Sequence, residues 1–141
     1  MTPMSLPNPE VHFDHAAHNE RLLDVLEGDL LPRHPEFLDW AIVVTFYAAL
    51  HYTKAALIRD HQAFAPHHRG YRDEQGVLHE GNNDLVHEHF ELDVRTAYKE
   101  LFDRAQEARY RPLYRKRDSL GTTQQLALYR VHLETIKAAC T

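Results

Sequence analysis

Arg72 and His79 close the stretch Arg-Asp-Glu-Gln-Gly-Val-Leu-His, with six residues between them. A histidine exchanges protons near neutral pH, and an arginine can hold a phosphate or stabilise the charge that develops on it. That pair meets the needs of metal-free RNA cleavage, in which the substrate's own 2′-hydroxyl is the nucleophile. The spacing alone is not specific. With 12 histidines in the chain, chance pairs are expected, and two solvated loop residues are the plainer reading.

A second feature is the run from Arg104 to Arg117. Arg104, Arg109, Arg111, Arg115, Lys116 and Arg117 face Glu107 alone, a local charge of +5. Tyr110 and Tyr114 are interleaved with the cations. Such a segment can neutralise phosphates while its rings stack on bases. It can equally be a solvated helix end whose cations complement the helix dipole. Histidines form further groups: His12, His15 and His18 share a helical spacing, and His87 lies four residues before Glu91, with Glu88 and His89 close by. Imidazoles and carboxylates on one face can ligate Zn, Fe or Ni. Neither set has an established ligand spacing, so surface or capping histidines are the simpler reading and no metal site or cofactor is expected. His51 follows Phe46-Tyr-Ala-Ala-Leu on an apolar helix. With Tyr47 it reads as a buried polar group that must find a hydrogen bond. No Ser/His/Asp set, phosphate-cradling glycine loop or dinucleotide fingerprint is present.

The 141 residues suit one domain with its own core. Apolar residues make up 43% and charged residues 26%, which excludes a disordered or membrane-embedded composition. The net charge of −5 argues against a generally basic nucleic-acid coat protein. It conceals a split, however, because the chain outside the basic run carries −10. Cys140 is the lone cysteine and cannot form an internal disulfide, which fits a reducing compartment. The uncharged run from Trp40 to Thr53 is shorter than the ~20 residues of a membrane span. The N-terminus lacks the basic and apolar regions of a signal peptide. A cytoplasmic location without membrane contact is expected.

The elements that must position these residues are helices. Residues 1–10 read as a flexible, proline-rich lead-in, and residues 11–141 as a single helical domain. A first helix is predicted from Val11 to Gly28, with Ala16, Leu22, Leu23 and Leu26 inward and Gly28 as its stop. Pro32 and Pro35 break the chain. A second helix opens on Asp39 as N-cap, with Trp40, Val44, Tyr47, His51, Ala55 and Ile58 along one face and Val43, Phe46, Leu50 and Leu57 on the other. A helix apolar nearly all round belongs at the centre of a bundle. Residues 61–84 read as a long polar loop, and such loops are often functional. A third helix is predicted from Leu85 to Tyr110 on the seam Val86, Phe90, Val94, Ala97, Leu101, Ala105 and Ala108, ended by Pro112. A fourth opens on the capping-box pattern Thr122-Thr123-Gln124-Gln125 and carries the stripe Leu126, Tyr129, Leu133, Ile136 and Cys140. The fold class is all-α, an antiparallel bundle of four main helices with a long loop between the second and third.

Several of these segments together resemble the HEPN domain family. The run Asp39-Trp-Ala-Ile-Val-Val-Thr-Phe-Tyr-Ala-Ala-Leu-His51 is similar to the family's signature helix, as is its spacing to Ala97-Tyr-Lys-Glu-Leu101 and Glu107-Ala-Arg-Tyr110. His18-Asn19-Glu20 ahead of Leu22-Leu23 resembles the first helix of small bacterial members, and Pro66-His-His-Arg-Gly-Tyr-Arg72 resembles their loop. The similarity spans about residues 11–137. It implies a helical bundle that usually dimerises. Many members are metal-independent ribonucleases, often toxins or defence effectors, marked by an arginine, four to six residues, then a histidine. Arg72 and His79 match that spacing and take the catalytic roles. Asp73 stands where Asn or His is more usual, and Gly76 suggests a loop where the family has helix. RNA or nucleotide contacts fall to His68, Arg69, Arg109, Tyr110, Arg111, Arg115, Lys116 and Arg117. The expected partners are a second copy of the chain, RNA or nucleotide, and an antitoxin or other protein. Two alternatives stand beside this reading: a non-catalytic dimerisation or partner-binding module, and a DinB-like metal-binding four-helix bundle.

Overall fold

A computed structural model of the chain describes residues 5–110 and 122–141. Arg111, Arg115, Lys116 and Arg117 of the basic run, with Tyr114 and Pro112, lie outside the described residues, as do the side chains of the Thr122-Thr123 capping pattern. The described chain is mostly helical: α1 (Pro9–Val25), α2 (Leu38–His61), α3 (Asn82–His89), α4 (Leu92–Tyr110) and α5 (Thr122–Cys140), with a two-stranded ribbon of β1 (Tyr71–Arg72) and β2 (Leu78–His79) between α2 and α3.

α1 starts two residues before the predicted Val11 because Asn8 Oδ1 accepts the Glu10 N–H at 3.0 Å and Pro9 supplies a preset first-turn φ. Gly28 is not its stop. The helix runs into a π turn, Leu26–Leu30, closed by the Leu31 N–H on the Leu26 carbonyl at 2.8 Å. Ala16 and Leu23 are buried as expected, whereas Leu22 is 43% exposed. One residue is a rotation of about 100° on a helix, so Leu22 and Leu23 cannot share a narrow face.

α2 is the centre of the molecule and packs against α1, α3, α4 and α5. Its start differs from expectation. A 3-10 turn, Pro35–Phe37, feeds directly into Leu38, which passes the cap position to Phe37. Asp39 instead sits in the first turn and accepts the Trp40 N–H at 2.9 Å. Ile42, Phe46, Ala49, Leu50 and Leu57 are buried, while Trp40 is 60% exposed and Val44, Tyr47 and His51 are half-buried. Of the face read from Trp40 to Ile58, Ala55 and Ile58 are buried, and its N-terminal part from Trp40 to His51 is left partly open by the neighbouring helices. By length and composition the stretch Pro35–His61 would suit a membrane span, yet 78% of its most apolar 18-residue window is buried inside the protein.

The region predicted as one loop is partly ordered into the ribbon and the start of α3. The turn Asp73–Val77 closes on Asp73 Oδ1, which accepts the Gln75 and Val77 N–H groups at 3.0 and 2.9 Å, and Gly76 takes a left-handed φ of 79°. The predicted third helix is two helices. Phe90 is extended, with φ −107° and ψ 155°, and α4 restarts when the Glu91 carbonyl accepts the Arg95 N–H at 3.0 Å. The charges explain the break: His87 and His89 suit a helix C-terminus, and Glu91 and Asp93 suit a helix N-terminus. The seam itself survives, with Val86, Val94, Ala97, Leu101 and Ala105 buried and Phe90 and Ala108 partly so. The stripe predicted on α5 is buried throughout. α5 is also tied to α1 by Arg130, 2.6 Å from Asp24, and by Lys137, 3.3 Å from Glu20, and Arg130 reaches Glu27 of the π turn at 2.8 Å.

Candidate functional site

The chain leaves α2 through Gln62, whose left-handed φ of 50° caps the helix, and returns across the bundle as residues 63–70. Two backbone bonds fix this loop: the Asn82 N–H donates to the His67 carbonyl at 2.7 Å and the Asn83 N–H to the His68 carbonyl at 2.9 Å. The approach is so close that a Cβ on Gly81 would lie 2.3 Å from the Arg69 carbonyl carbon. Asn82, fully buried, anchors the junction to the core. Its Nδ2 donates to Thr53 Oγ1 at 3.2 Å and to the Tyr98 hydroxyl at 3.1 Å, and that hydroxyl donates to Asn83 Oδ1 at 2.9 Å. Gly81, Asn82 and Asn83 were not among the predicted site residues. The signal was the Gly-Asn-Asn-Asp string, which marks a helix start.

The loop delivers His68 and Arg69 to the C-terminal end of α4. The His68 ring lies against Phe46, Phe102 and Tyr47, with centroids 5.7, 5.8 and 6.5 Å away. Burial, reinforced by Arg109 and other nearby cations, lowers its pKa, so the ring is neutral at pH 7. Its Nδ1 is buried and has no hydrogen-bond partner among the described residues. Arg109 donates from Nη1 to the Tyr47 hydroxyl at 2.8 Å, and its guanidinium lies between the rings of Tyr47 and Tyr110 at 5.7 and 5.2 Å. Its Nε is likewise buried without a partner among the described residues. Arg69 rests over the Phe102 ring at 5.5 Å. An open cleft of about 650 Å³ runs along His67, His68, Arg69, Tyr71, Phe102 and Gln106. Tyr47, His68, Arg69, Arg109 and Tyr110 therefore come from three separate parts of the chain to one surface. Arg104 differs: it is paired with Glu100 at 3.0 Å and Glu107 at 3.6 Å.

Arg72 and His79 are not brought together. In the ribbon Tyr71 pairs with His79 and Arg72 with Leu78, so the two side chains leave opposite faces. Arg72 Nη1 donates to the Gly76 carbonyl at 3.0 Å. His79 stacks on Tyr71 at 4.9 Å, and its Nε2 is 2.8 Å from Asp73 Oδ2. Asp73, the residue unlike the family pattern, thus orients the imidazole, and that bond leads the causes that lower its carboxyl pKa.

His51 is half-buried beside two histidines of α1. His12 Nδ1 lies 2.9 Å from His51 Nδ1, and the His15 ring stacks at 5.0 Å. His12 is thus half-buried against His51, whereas His15, although its ring stacks there, is exposed as the surface reading has it. Burial first, then His12, His15 and Lys54, push the His51 pKa down to about 4. His89 stacks on His61 at 4.2 Å, and His87 lies 3.5 Å from Arg95. Among the described residues no group of three or more His, Cys, Asp or Glu side chains is placed to hold a metal ion. No protein-family model, curated protein or solved structure matches the chain.

Proposed function

We propose that this protein is a HEPN-like homodimer that binds RNA or nucleotide on the surface formed by His68, Arg69, Arg109 and Tyr110. In that reading α1, α2, α4 and α5 are the four main helices of an antiparallel bundle. The observation that carries it is the pairing of two arginines with a neutral histidine and exposed aromatic surface, where Arg109 Nε and His68 Nδ1 have no partner among the described residues. Unpaired buried donors are costly, and a phosphate oxygen satisfies an arginine Nε–H well. Tyr110, 70% exposed, offers a stacking face. Arg111, Arg115, Lys116 and Arg117, outside the described residues, follow in sequence and add four cations to the same segment.

Binding is tested by fluorescence anisotropy of labelled single-stranded RNA across a potassium chloride series. Removing one phosphate-binding cation, in Arg69→Ala or Arg109→Ala, lowers the log–log salt slope by about 0.7. An affinity insensitive to salt, or unchanged in both variants, rejects the proposal in favour of a non-catalytic dimerisation or partner-docking module, for which an antitoxin or another protein is the ligand.

A second reading, metal-independent endoribonuclease of toxin or defence type, is favoured by the Asp73–His79 pair. A carboxylate that fixes an imidazole prepares it for general acid–base work. Because Arg72 leaves the other face of the ribbon, this reading requires the Arg72 of a second protomer to hold the scissile phosphate. RNA should then be cut in EDTA to a 2′,3′-cyclic phosphate end, and His79→Ala should abolish the cut. Cleavage that persists in His79→Ala rules it out.

A further inference from the structure

On the other side of Arg69, the break at Phe90 sets α3 beside α4 and leaves a cleft of about 480 Å³ between them. That is within the range of small-molecule sites. α3 contributes Asn83, Val86 and His87, at helical spacings of three and four. α4 contributes Leu92, Arg95, Thr96 and Lys99 on one face, with Tyr98 and Phe102 below. The floor is apolar: Val86, Tyr98 and Phe102 are buried, and the Tyr98 hydroxyl is already engaged by Asn82 and Asn83. The rim is cationic. Lys99 is neutralised by Asp103 at 2.8 Å. Arg95 has no carboxylate partner among the described residues; it reaches only His87, at 3.5 Å, and its Nε is buried without a hydrogen bond. Arg69 closes the opposite wall.

We propose that this cleft binds a small amphipathic anion: a flat apolar body on the Val86–Tyr98–Phe102 floor, with one anionic group on the Arg95 guanidinium. The chemistry selects both halves. The rings and Val86 reward removal of an apolar face from water, and the Arg95 Nε–H lacks the acceptor that an anion supplies. A fully hydrated anion gains nothing from the apolar floor, and a neutral ring leaves Arg95 unpaired. The cleft does not include Arg109 but shares Arg69 with the RNA surface, so the two sites are told apart at Arg95, which that surface does not use.

The test is an NMR titration of the full-length protein with phenyl phosphate, inorganic phosphate and phenol, following the Arg95 Nε–Hε resonance and the amides of residues 83–103. Phenyl phosphate should shift the Arg95 resonance and bind at least about tenfold more tightly than either half alone. Arg95→Gln should weaken it by about tenfold. Thr96→Trp, which fills the cleft from an exposed position, should abolish binding, and both variants should keep the wild-type amide spectrum elsewhere. Equal affinity for inorganic and phenyl phosphate, shifts centred on Arg109 instead, or unchanged affinity in Arg95→Gln would each overturn the proposal. Arg95→Gln should leave RNA affinity within about twofold, so loss of RNA binding in Arg109→Ala and loss of phenyl phosphate in Arg95→Gln are read apart.

Discussion

Replacing His51 with glutamine should make the protein less sensitive to mild acid, although it removes the imidazole that contacts His12 from the helix at the centre of the fold. In the folded state His51 is faced by His12 and His15 from α1 and by Lys54 from its own helix, with no compensating acid among the groups that shift it, and its pKa is about 4 rather than 6.5. His12 is lowered in the same direction, by burial, Lys54 and His15. The sign follows directly. Between about pH 6.5 and 4 the unfolded chain binds a proton at His51 that the folded chain refuses, so stability falls as pH falls through that window. The contribution is complete above pH 6.5. A tenfold change in proton affinity is about 1.4 kcal/mol, which caps the loss near 3.4 kcal/mol. Solvent screening of the half-buried ring reduces it to about 1–2 kcal/mol. Urea unfolding by circular dichroism at pH 7.5, 6 and 4.5 measures this against carboxylate titrations common to both proteins. Wild type should lose about 1–2 kcal/mol more than His51→Gln over that range. Two parallel stability curves would refute the electrostatic account of the histidine stack.

Gly81→Ala must push its Cβ against the loop at Arg69, so it should destabilise by about 1–3 kcal/mol and weaken RNA binding through His68 and Arg69; urea unfolding and the anisotropy assay read the two effects. Cys140 is buried with its thiol pKa pushed up to about 12, so iodoacetamide at pH 8 should label it only after unfolding, as mass spectrometry would show. Arg130→Ala cuts a link between α5 and α1 whose acidic partners are largely exposed, so the cost should be below about 1 kcal/mol and should vanish in high salt, by thermal melts with and without added sodium chloride.

Periodicity made much of the fold legible, because burial on a helix follows spacing. The α5 stripe is buried as read, and so is the Val86–Ala105 seam except at Phe90, which is partly buried. What spacing could not convey was a break inside an unbroken seam. Phe90 carries neither proline nor glycine, and only the switch from His87 and His89 to Glu91 and Asp93 marked it. The candidate site was legible in its residue types, since His68, Arg69, Arg109 and Tyr110 share one surface. Their approach to Tyr47 was not, because it depends on how residues 63–70 cross the bundle. Arg72 and His79 show the opposite limit. A separation of six residues fixes chain distance, but strand register decides which face each side chain takes.

The backbone bonds that seat residues 67–69 involve no side chain of that loop. Its path is dictated from across the junction, by Gly81, Asn82 and Asn83, so path and chemistry are written in different places in the sequence. Exchanging His68 or Arg69 therefore alters what the surface offers a ligand without withdrawing the bonds that hold the loop. The loop's backbone path thus rests on the Gly-Asn-Asn triplet, whereas the side chains at 68 and 69 are held by ring contacts to Phe46, Tyr47 and Phe102.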